Sequence, residues 1–342
     1  MDETNIEHSG DFIPVTTDEG RLRQLVDYLE EHVTAFSEAP SMEPPEEEIQ
    51  AARDRVNDVL ARRDDSVVHA AMLVLGAGVN HMLPMVAYLR PETSWEDIAL
   101  QAGGHITTAT VFTPSEPTGA CVIALHGGPW WAGDGVAREN IFSPDCAALA
   151  ERSGAIVVDL DYRLGPEHST DAAVIDILEA LTWAKSHQGI DSDKIVLWAN
   201  DASAQPALAA DPEVALFAVT NPVLPGADVT ADRLSRIGAF HVQTGTHDSV
   251  TSGGTELVAA AEEKAIPASA ESFLSTHEVI PPAERRRRLT ELARRILEST
   301  GTSRELAADP VGDYDKDAID RDNEELRESG AGIMPEIPDH LK

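Results

Sequence analysis

The segment Lys194–Ala209 carries the residues whose types and order bear most directly on chemistry. An apolar run, Ile195-Val-Leu-Trp198, leads into Asn200-Asp201-Ala202-Ser203-Ala204 and then into a helical pattern. Strand, sharp turn and helix is the layout of a nucleophile elbow, which usually reads Gly-x-Ser-x-Gly and exposes a serine oxygen on a strained turn. On that frame the central position of the five is Ala202, and a methyl group has no oxygen to attack with. A second segment, His126-Gly127-Gly128-Pro129-Trp130-Trp131, follows the strand-like Cys121–Leu125. A glycine turn there lets backbone N–H groups of Gly127 and Gly128 face the point where an acyl oxygen would become negative.

A third block, Asp161-Tyr-Arg-Leu-Gly-Pro-Glu-His168, stands between the other two. Together the three resemble the hormone-sensitive-lipase-like, carboxylesterase branch of the α/β-hydrolase superfamily. Its members show His-Gly-Gly-Gly, then Asp-Tyr-Arg-Leu-Ala-Pro-Glu-His, then Gly-Asp-Ser-Ala-Gly. Only Gly165 departs from the eight-residue block. The resemblance spans about Ile98 to Thr300 and implies an esterase or lipase ancestry. It implies that His126 and the block at 161–168 are mainly structural. By the order nucleophile, acid, base it also implies Asp248, after a strand, as the triad acid and His277, before the last core helix, as the base. The acid would fix the imidazole tautomer, and the imidazole would take the nucleophile's proton.

The departures from the family pattern are specific. Aligning Asn200-Asp-Ala-Ser-Ala on Gly-Asp-Ser-Ala-Gly leaves Ala202 at the nucleophile, and loss of that serine costs roughly 10⁶ in kcat. Pro129 replaces the third glycine of the oxyanion loop and has no N–H to give. Gly128 and the N–H of Ser203 remain as donors. Ser203 as a displaced nucleophile, and Ala202 as an engineered replacement for serine, are two alternatives. The family's helical cap before the triad acid is reduced here to about Pro225–Ile237. The pocket should therefore be more open, or covered by N-terminal helices.

The elements that would position these residues can be read from periodicity. Asp18–Phe36 and Glu46–Arg63 carry apolar residues at helical spacing, separated by Pro40, Pro44 and Pro45. Ser66–Leu89 lacks Lys, Arg, Asp and Glu, but His69, Asn80, His81 and Pro84 argue for two packed helices rather than a membrane span. From Ile98 onward apolar strands alternate with helices, which predicts a mostly parallel sheet covered on both faces. The expected organisation is a helical extension over 1–90, an α/β-hydrolase core over 91–300 and an acidic, largely extended tail over 301–342. That tail holds 12 Asp and Glu against 5 Lys and Arg, and its apolar end at 332–338 could dock on a partner or fold back on the core. The basic run Arg285–Arg288 reads as the solvated start of an amphipathic helix, or as a receiver for the tail.

Composition narrows the functional classes. The 342 residues can bury a large core. A net charge of −34 argues against nucleic acid or anionic lipid as a partner. Two cysteines, Cys121 and Cys146, both in apolar patterns, suggest buried thiols and neither a disulfide framework nor a zinc site. No cofactor is expected. The acidic N-terminus lacks a signal-peptide pattern, so the cytoplasm is the expected compartment. The sequence thus points to a hydrolase-like protein that is catalytically inactive and binds a protein partner or a small hydrophobic or acyl ligand. The alternative is an ester hydrolase with an altered nucleophile position.

Overall fold

A computed structural model describes residues 17–33, 48–75, 94–224, 234 and 236–306. Two helices come first, α1 (Asp18–His32) and α2 (Ile49–Leu75). Thr17 caps α1, its hydroxyl accepting the Gly20 N–H at 3.1 Å. Leu22, Leu25 and Leu29 form the buried stripe of α1, packed against Val67, Ala70 and Ala71 of α2. The expected helix Glu46–Arg63 thus runs on as one helix to Leu75. The rest of the uncharged Ser66–Leu89 stretch, His81 included, lies outside the described residues, as do most of the cap segment and the tail from 307. Among the described residues no helix is long and apolar enough to cross a membrane.

The strands are β1 (Ser94–Ala102), β2 (His105–Thr113), β3 (Cys121–Leu125), β4 (Ile156–Asp161), β5 (Ile195–Asn200), β6 (Leu216–Thr220), β7 (Phe240–Gly245) and β8 (Ala268–Phe273). They form one sheet in the order β1-β2-β4-β3-β5-β6-β7-β8. Both pairings of β2 are antiparallel, and β4 through β8 run parallel. Strands β3, β5 and β6 have buried backbones and apolar side chains on both faces, as a covered parallel sheet requires.

Helices α3 (Ser143–Ser153) and α7 (Pro282–Ser299) cover one face, with Leu149, Leu292 and Ile296 against Val122 and Trp198. Helices α4 (Thr170–Ser186), α5 (Ala204–Ala209) and α6 (Gly254–Glu263) cover the other, with Ile177, Ala207 and Leu257 in its core. Cys121 and Cys146 are buried free thiols. The topology has one consequence for chemistry. The chain places β3 between β4 and β5, so the carboxyl ends of β3 and β5 lie side by side at a switch in strand order, where open α/β sheets hold their ligands.

The basic start of α7 differs from its sequence reading. Arg285 and Arg288 are not solvated. Arg285 donates to Asp64 at 2.6 Å and to Asp145 at 2.9 Å, joining α7 to α2 and α3. Arg288 is buried, with its guanidinium 5.9 Å from the centre of the Phe273 ring. Arg285 finds carboxylates on two neighbouring helices before it finds water.

Candidate active site

The glycine turn after β3 and the elbow after β5 meet through a carboxylate. The Gly128 N–H donates to Asp201 Oδ2 at 2.8 Å. Asp201 has φ +49°, a left-handed backbone that side chains rarely adopt and that Asp tolerates better than most. Asn200 before it is extended, and Ser203 after it is right-handed helical. The sharp point of the turn is therefore Asp201, and Ala202 follows it by one residue. The carboxylate also explains Gly127: a Cβ there would stand 2.1 Å from Asp201 Oδ2. The sequence held a signal for this register. With Asp201 at the centre, Ala199 and Ser203 are the flanking small residues two positions away, where the Ala202 register puts the larger Asn200.

Ser203 is turned away from this point. Its buried hydroxyl accepts the Asn200 N–H at 2.9 Å and donates to the Asn200 carbonyl at 2.6 Å, closing the turn on itself. Pro129 contributes a carbonyl that accepts the Ala132 N–H at 2.9 Å.

Asp248 and His277 are brought together from the loops after β7 and β8. His277 Nδ1 and Asp248 Oδ2 lie 2.9 Å apart. Asp248 is held by three further donors: the N–H groups of Val250 and Thr251, each at 2.9 Å, and the Thr251 hydroxyl at 2.6 Å. Burial alone would raise this carboxyl, but the hydrogen bonds from His277 and Thr251 win and keep it well below its usual range. Burial likewise opposes charge on His277. The hydrogen bond to Asp248 and the charges of Asp201, Asp248 and Glu278 prevail and raise it to about 9. Asp201 is shifted upward, by burial first and by Asp248, against the pull of His277, the Gly128 N–H and Arg288. Carboxylate, imidazolium and second carboxylate thus form one electrostatic unit. Arg288 adds a buried positive charge, its guanidinium lowered to about 10 by that burial.

The block at 161–168 is tied to its neighbours by side chains. Arg163 grips Asp176 of α4, with Nη2 2.8 Å from Oδ1, and the Tyr162 hydroxyl donates to the His126 carbonyl at 3.1 Å. His126 is buried and stacks on the Tyr162 ring at 4.5 Å. Gly165 is small for a reason on the page: the Trp130 ring fills the space where a Cβ would go. Trp131 packs with Ala52 and Val56 of α2.

Sequence reasoning missed Arg53 and Asn57. Arg53 is buried and donates to the carbonyls of Trp131 at 2.8 Å and Gly165 at 2.7 Å and to Glu167 at 2.6 Å. Asn57, one turn on, accepts from the Gly133 N–H at 2.8 Å and donates to Asp134 at 2.6 Å. Helix α2 therefore fastens the loops after β3 and β4 beside the elbow. The signal was Arg53 standing in the apolar stripe Ile49, Val56, Leu60.

A separate group, His241, Glu271 and Glu291, brings its ligand-type atoms within 4.8 Å of one another. Glu291 there is already engaged by Arg294 and, at 2.8 Å, by Arg295. His69 bonds back to the Asp65 carbonyl of its own helix at 2.9 Å.

Comparison with known proteins agrees with this architecture. Residues 122–210 match a family described as alpha/beta hydrolase fold. An arylesterase of Saccharolobus solfataricus is 29% identical over 121 residues, which are 34% of this chain and 38% of that protein. Esterase LipI of Mycobacterium tuberculosis is 34% identical over 103 residues, 29% of this chain and 31% of that one. The gibberellin receptor GID1B of Arabidopsis thaliana is 36% identical over 86 residues, 24% of each chain. The match spans about a third of the length of the first two relatives. Among solved structures, a hyperthermophilic esterase from the archaeon Pyrobaculum calidifontis superposes with a TM-score of 0.61 at 19% identity, covering 82% of this chain and 98% of that one.

Proposed function

From the premise that this chain belongs to the α/β-hydrolase superfamily, on its carboxylesterase-like side, we propose that its nucleophile seat is residue 201 and that it holds a carboxylate instead of a hydroxyl. The protein is then silent toward carboxylic esters by the acyl-serine route, while keeping a paired Asp248 and His277 whose imidazole feels the Asp201 charge. One observation carries this reading: Asp201 has the left-handed backbone of the elbow and rests its Oδ2 on the Gly128 N–H, where an acyl oxyanion would lie. An acyl group cannot enter while the carboxylate holds that donor, and Ala202 and the inward-bonded Ser203 offer no substitute.

The test is turnover of a short-chain aryl ester. The unaltered chain shows none above background. Asp201→Ser gains measurable activity, and His277→Ala in that variant removes it. Ala202→Ser stays silent. Activity from Ala202→Ser alone would move the seat back by one residue and end this reading.

A second reading is favoured by the similarity to a hormone receptor, GID1B. In it the site binds a small hydrophobic or acyl ligand, or the protein serves a partner, without chemistry. The four-donor anchoring of Asp248 weighs against it, since a merely occupied pocket needs no acid so firmly aimed at a histidine.

A further inference from the structure

Away from the elbow, β7, β8 and α7 bring three donor side chains to one point. His241 and Glu271 share a face of the sheet. The register sets His241 opposite Ser269 and Gln243 opposite Glu271, and side chains two residues apart on a strand point the same way. That face is the one under α7, because Gln243 Nε2 donates to the Arg288 carbonyl at 2.9 Å. Glu291 stands about one turn further along α7. The ligand-type atoms of His241, Glu271 and Glu291 lie within 4.8 Å of one another. We propose that these three residues bind a divalent cation of the zinc class, which clamps α7 to the last two strands. The proposal does not depend on which residue holds the nucleophile seat.

The imidazole is the observation that asks for a cation. His241 is 0% exposed. Its Nδ1 lies 2.8 Å from the Ser269 hydroxyl, and that hydroxyl has the Phe240 carbonyl, at 3.5 Å, for its own proton. Nδ1–H is therefore the donor to Ser269, and Nε2 carries a lone pair. Among the described residues Nε2 has no hydrogen-bond partner. The atoms it faces are carboxyl oxygens, which are acceptors as well. Lone pairs of one nitrogen and two carboxyls converging on a point are what a metal ion accepts. A hydroxyl on the far nitrogen is the outer hydrogen bond that fixes the tautomer and aim of a ligating imidazole.

The carboxyls have capacity for the ion. Burial first, and then its contact with Glu291, raises the Glu271 carboxyl, so two acids meet here against their own repulsion. Arg287 stands 3.8 Å from Glu271, beyond hydrogen-bond reach, and is held by Glu284 at 2.7 Å. On Glu291, Oε1 accepts from Arg294 and from Arg295, whereas Oε2 accepts from Arg294 Nε at 2.8 Å. An ionised carboxylate oxygen takes two partners, so Oε2 keeps a lone pair. Arg294 and Arg295 also both reach Glu298, which keeps them paired when Glu291 turns to a metal. Glu271, with its side chain 33% exposed, gives the ion a way in.

The surroundings select the class of metal. Three guanidinium groups, of Arg287, Arg294 and Arg295, oppose a hard cation held by charge alone. An imidazole nitrogen favours a borderline ion, so zinc suits this donor set better than magnesium or calcium. The cysteine count argued against a thiolate zinc site, and this set contains no thiolate. Zinc takes four ligands, and water completes the three from the protein. The place in the fold gives the consequence. Strand β7 leads into the loop of Asp248, β8 into that of His277, and α7 follows His277. An ion joining these three elements steadies the stems of both loops, and its effect is read as stability rather than as chemistry.

The experiment uses the full chain, stripped with EDTA and titrated with zinc chloride at high salt, which screens loose binding to the acidic surface. Calorimetry and metal analysis after dialysis should give one zinc per chain, and the melting temperature should rise with zinc concentration. Excess magnesium should not displace the ion. Imidazole ¹⁵N NMR should place the zinc-dependent shift on Nε2 of His241, which separates this site from every other histidine. Ser269→Ala removes no ligand but frees the ring, and should weaken binding about 10–100-fold. Glu271→Gln should weaken it by about tenfold or more. Melting temperatures without metal show that both variants fold. Should either fail to fold, the His241 resonance of the unaltered chain decides. The proposal is overturned by no stoichiometric zinc, by zinc that leaves the His241 resonance unmoved, by displacement with magnesium, or by unchanged affinity in folded Glu271→Gln.

Discussion

At the scale of single residues, the difference between an alanine and an aspartate one position apart decides what the site is. The elbow's order, strand to turn to helix, was legible from Ile195-Val-Leu-Trp198 and the helical pattern after it. Its register was harder to read, because two alignments of the same segment differ by one residue and the small Ala199 and Ser203 are a weak signal beside the family-like order Asn200-Asp-Ala-Ser-Ala. The positive φ of Asp201 and the contact of its carboxylate with Gly128 favour the register centred on Asp201. Asp248 and His277 were readable from their order after successive strands. Their distance of 2.9 Å depends on β7 and β8 being sheet neighbours. A titration prediction belongs here. His277 should titrate near 9 by NMR, and Asp201→Asn should lower that value because one of the charges raising it is gone. The sign for stability follows. The folded His277 value lies above its ordinary 6.5, so its contribution is complete below about 6.5 and is lost as pH rises through about 9. Asp248, shifted downward, contributes above its ordinary 3.8 and loses that contribution only as pH falls through its lower folded value. Thermal melts across that range check the pair: Asp248→Asn should flatten the alkaline decline.

At the scale of elements, helix α2 ties the N-terminal helices to the loops beside the elbow. Arg53 and Asn57 reach the loops after β3 and β4, and Arg63, buried, meets Glu278 beside the base at 2.9 Å. The strands and core helices were legible because apolar runs of five or six residues leave little else for the chain to form. The length of α2 was not, since an uncharged stretch following a charged amphipathic one reads as a new element. Its apolar residues in fact continue the same face, with Val67, Ala70 and Ala71 against α1. Arg53→Ala removes the donor to two backbone carbonyls and to Glu167 at once. With Glu167 partly exposed, a loss of about 2 kcal/mol in denaturant-monitored stability is expected. An unchanged midpoint would mean that α2 does not fasten these loops.

At the scale of the whole molecule, the −34 charge is spread over a core of ordinary hydrophobic content. Self-repulsion of that size opposes the compact state and is screened by salt within about 10 Å at 0.1 M and about 3 Å at 1 M. The melting temperature should therefore rise between these concentrations; a fall would show that attractive ion pairs such as Arg285 with Asp64 and Asp145 outweigh the repulsion. The sheet carries a site at its strand-order switch, and everything said of function depends on which side chain stands at the elbow there. Intact-mass and peptide mapping after treatment with a fluorophosphonate ester test that most directly. The account predicts that Asp201→Ser is labelled once, on residue 201, and that Ala202→Ser and the unaltered chain are not. Labelling of Ala202→Ser on residue 202, with Asp201→Ser unlabelled and folded, would contradict it.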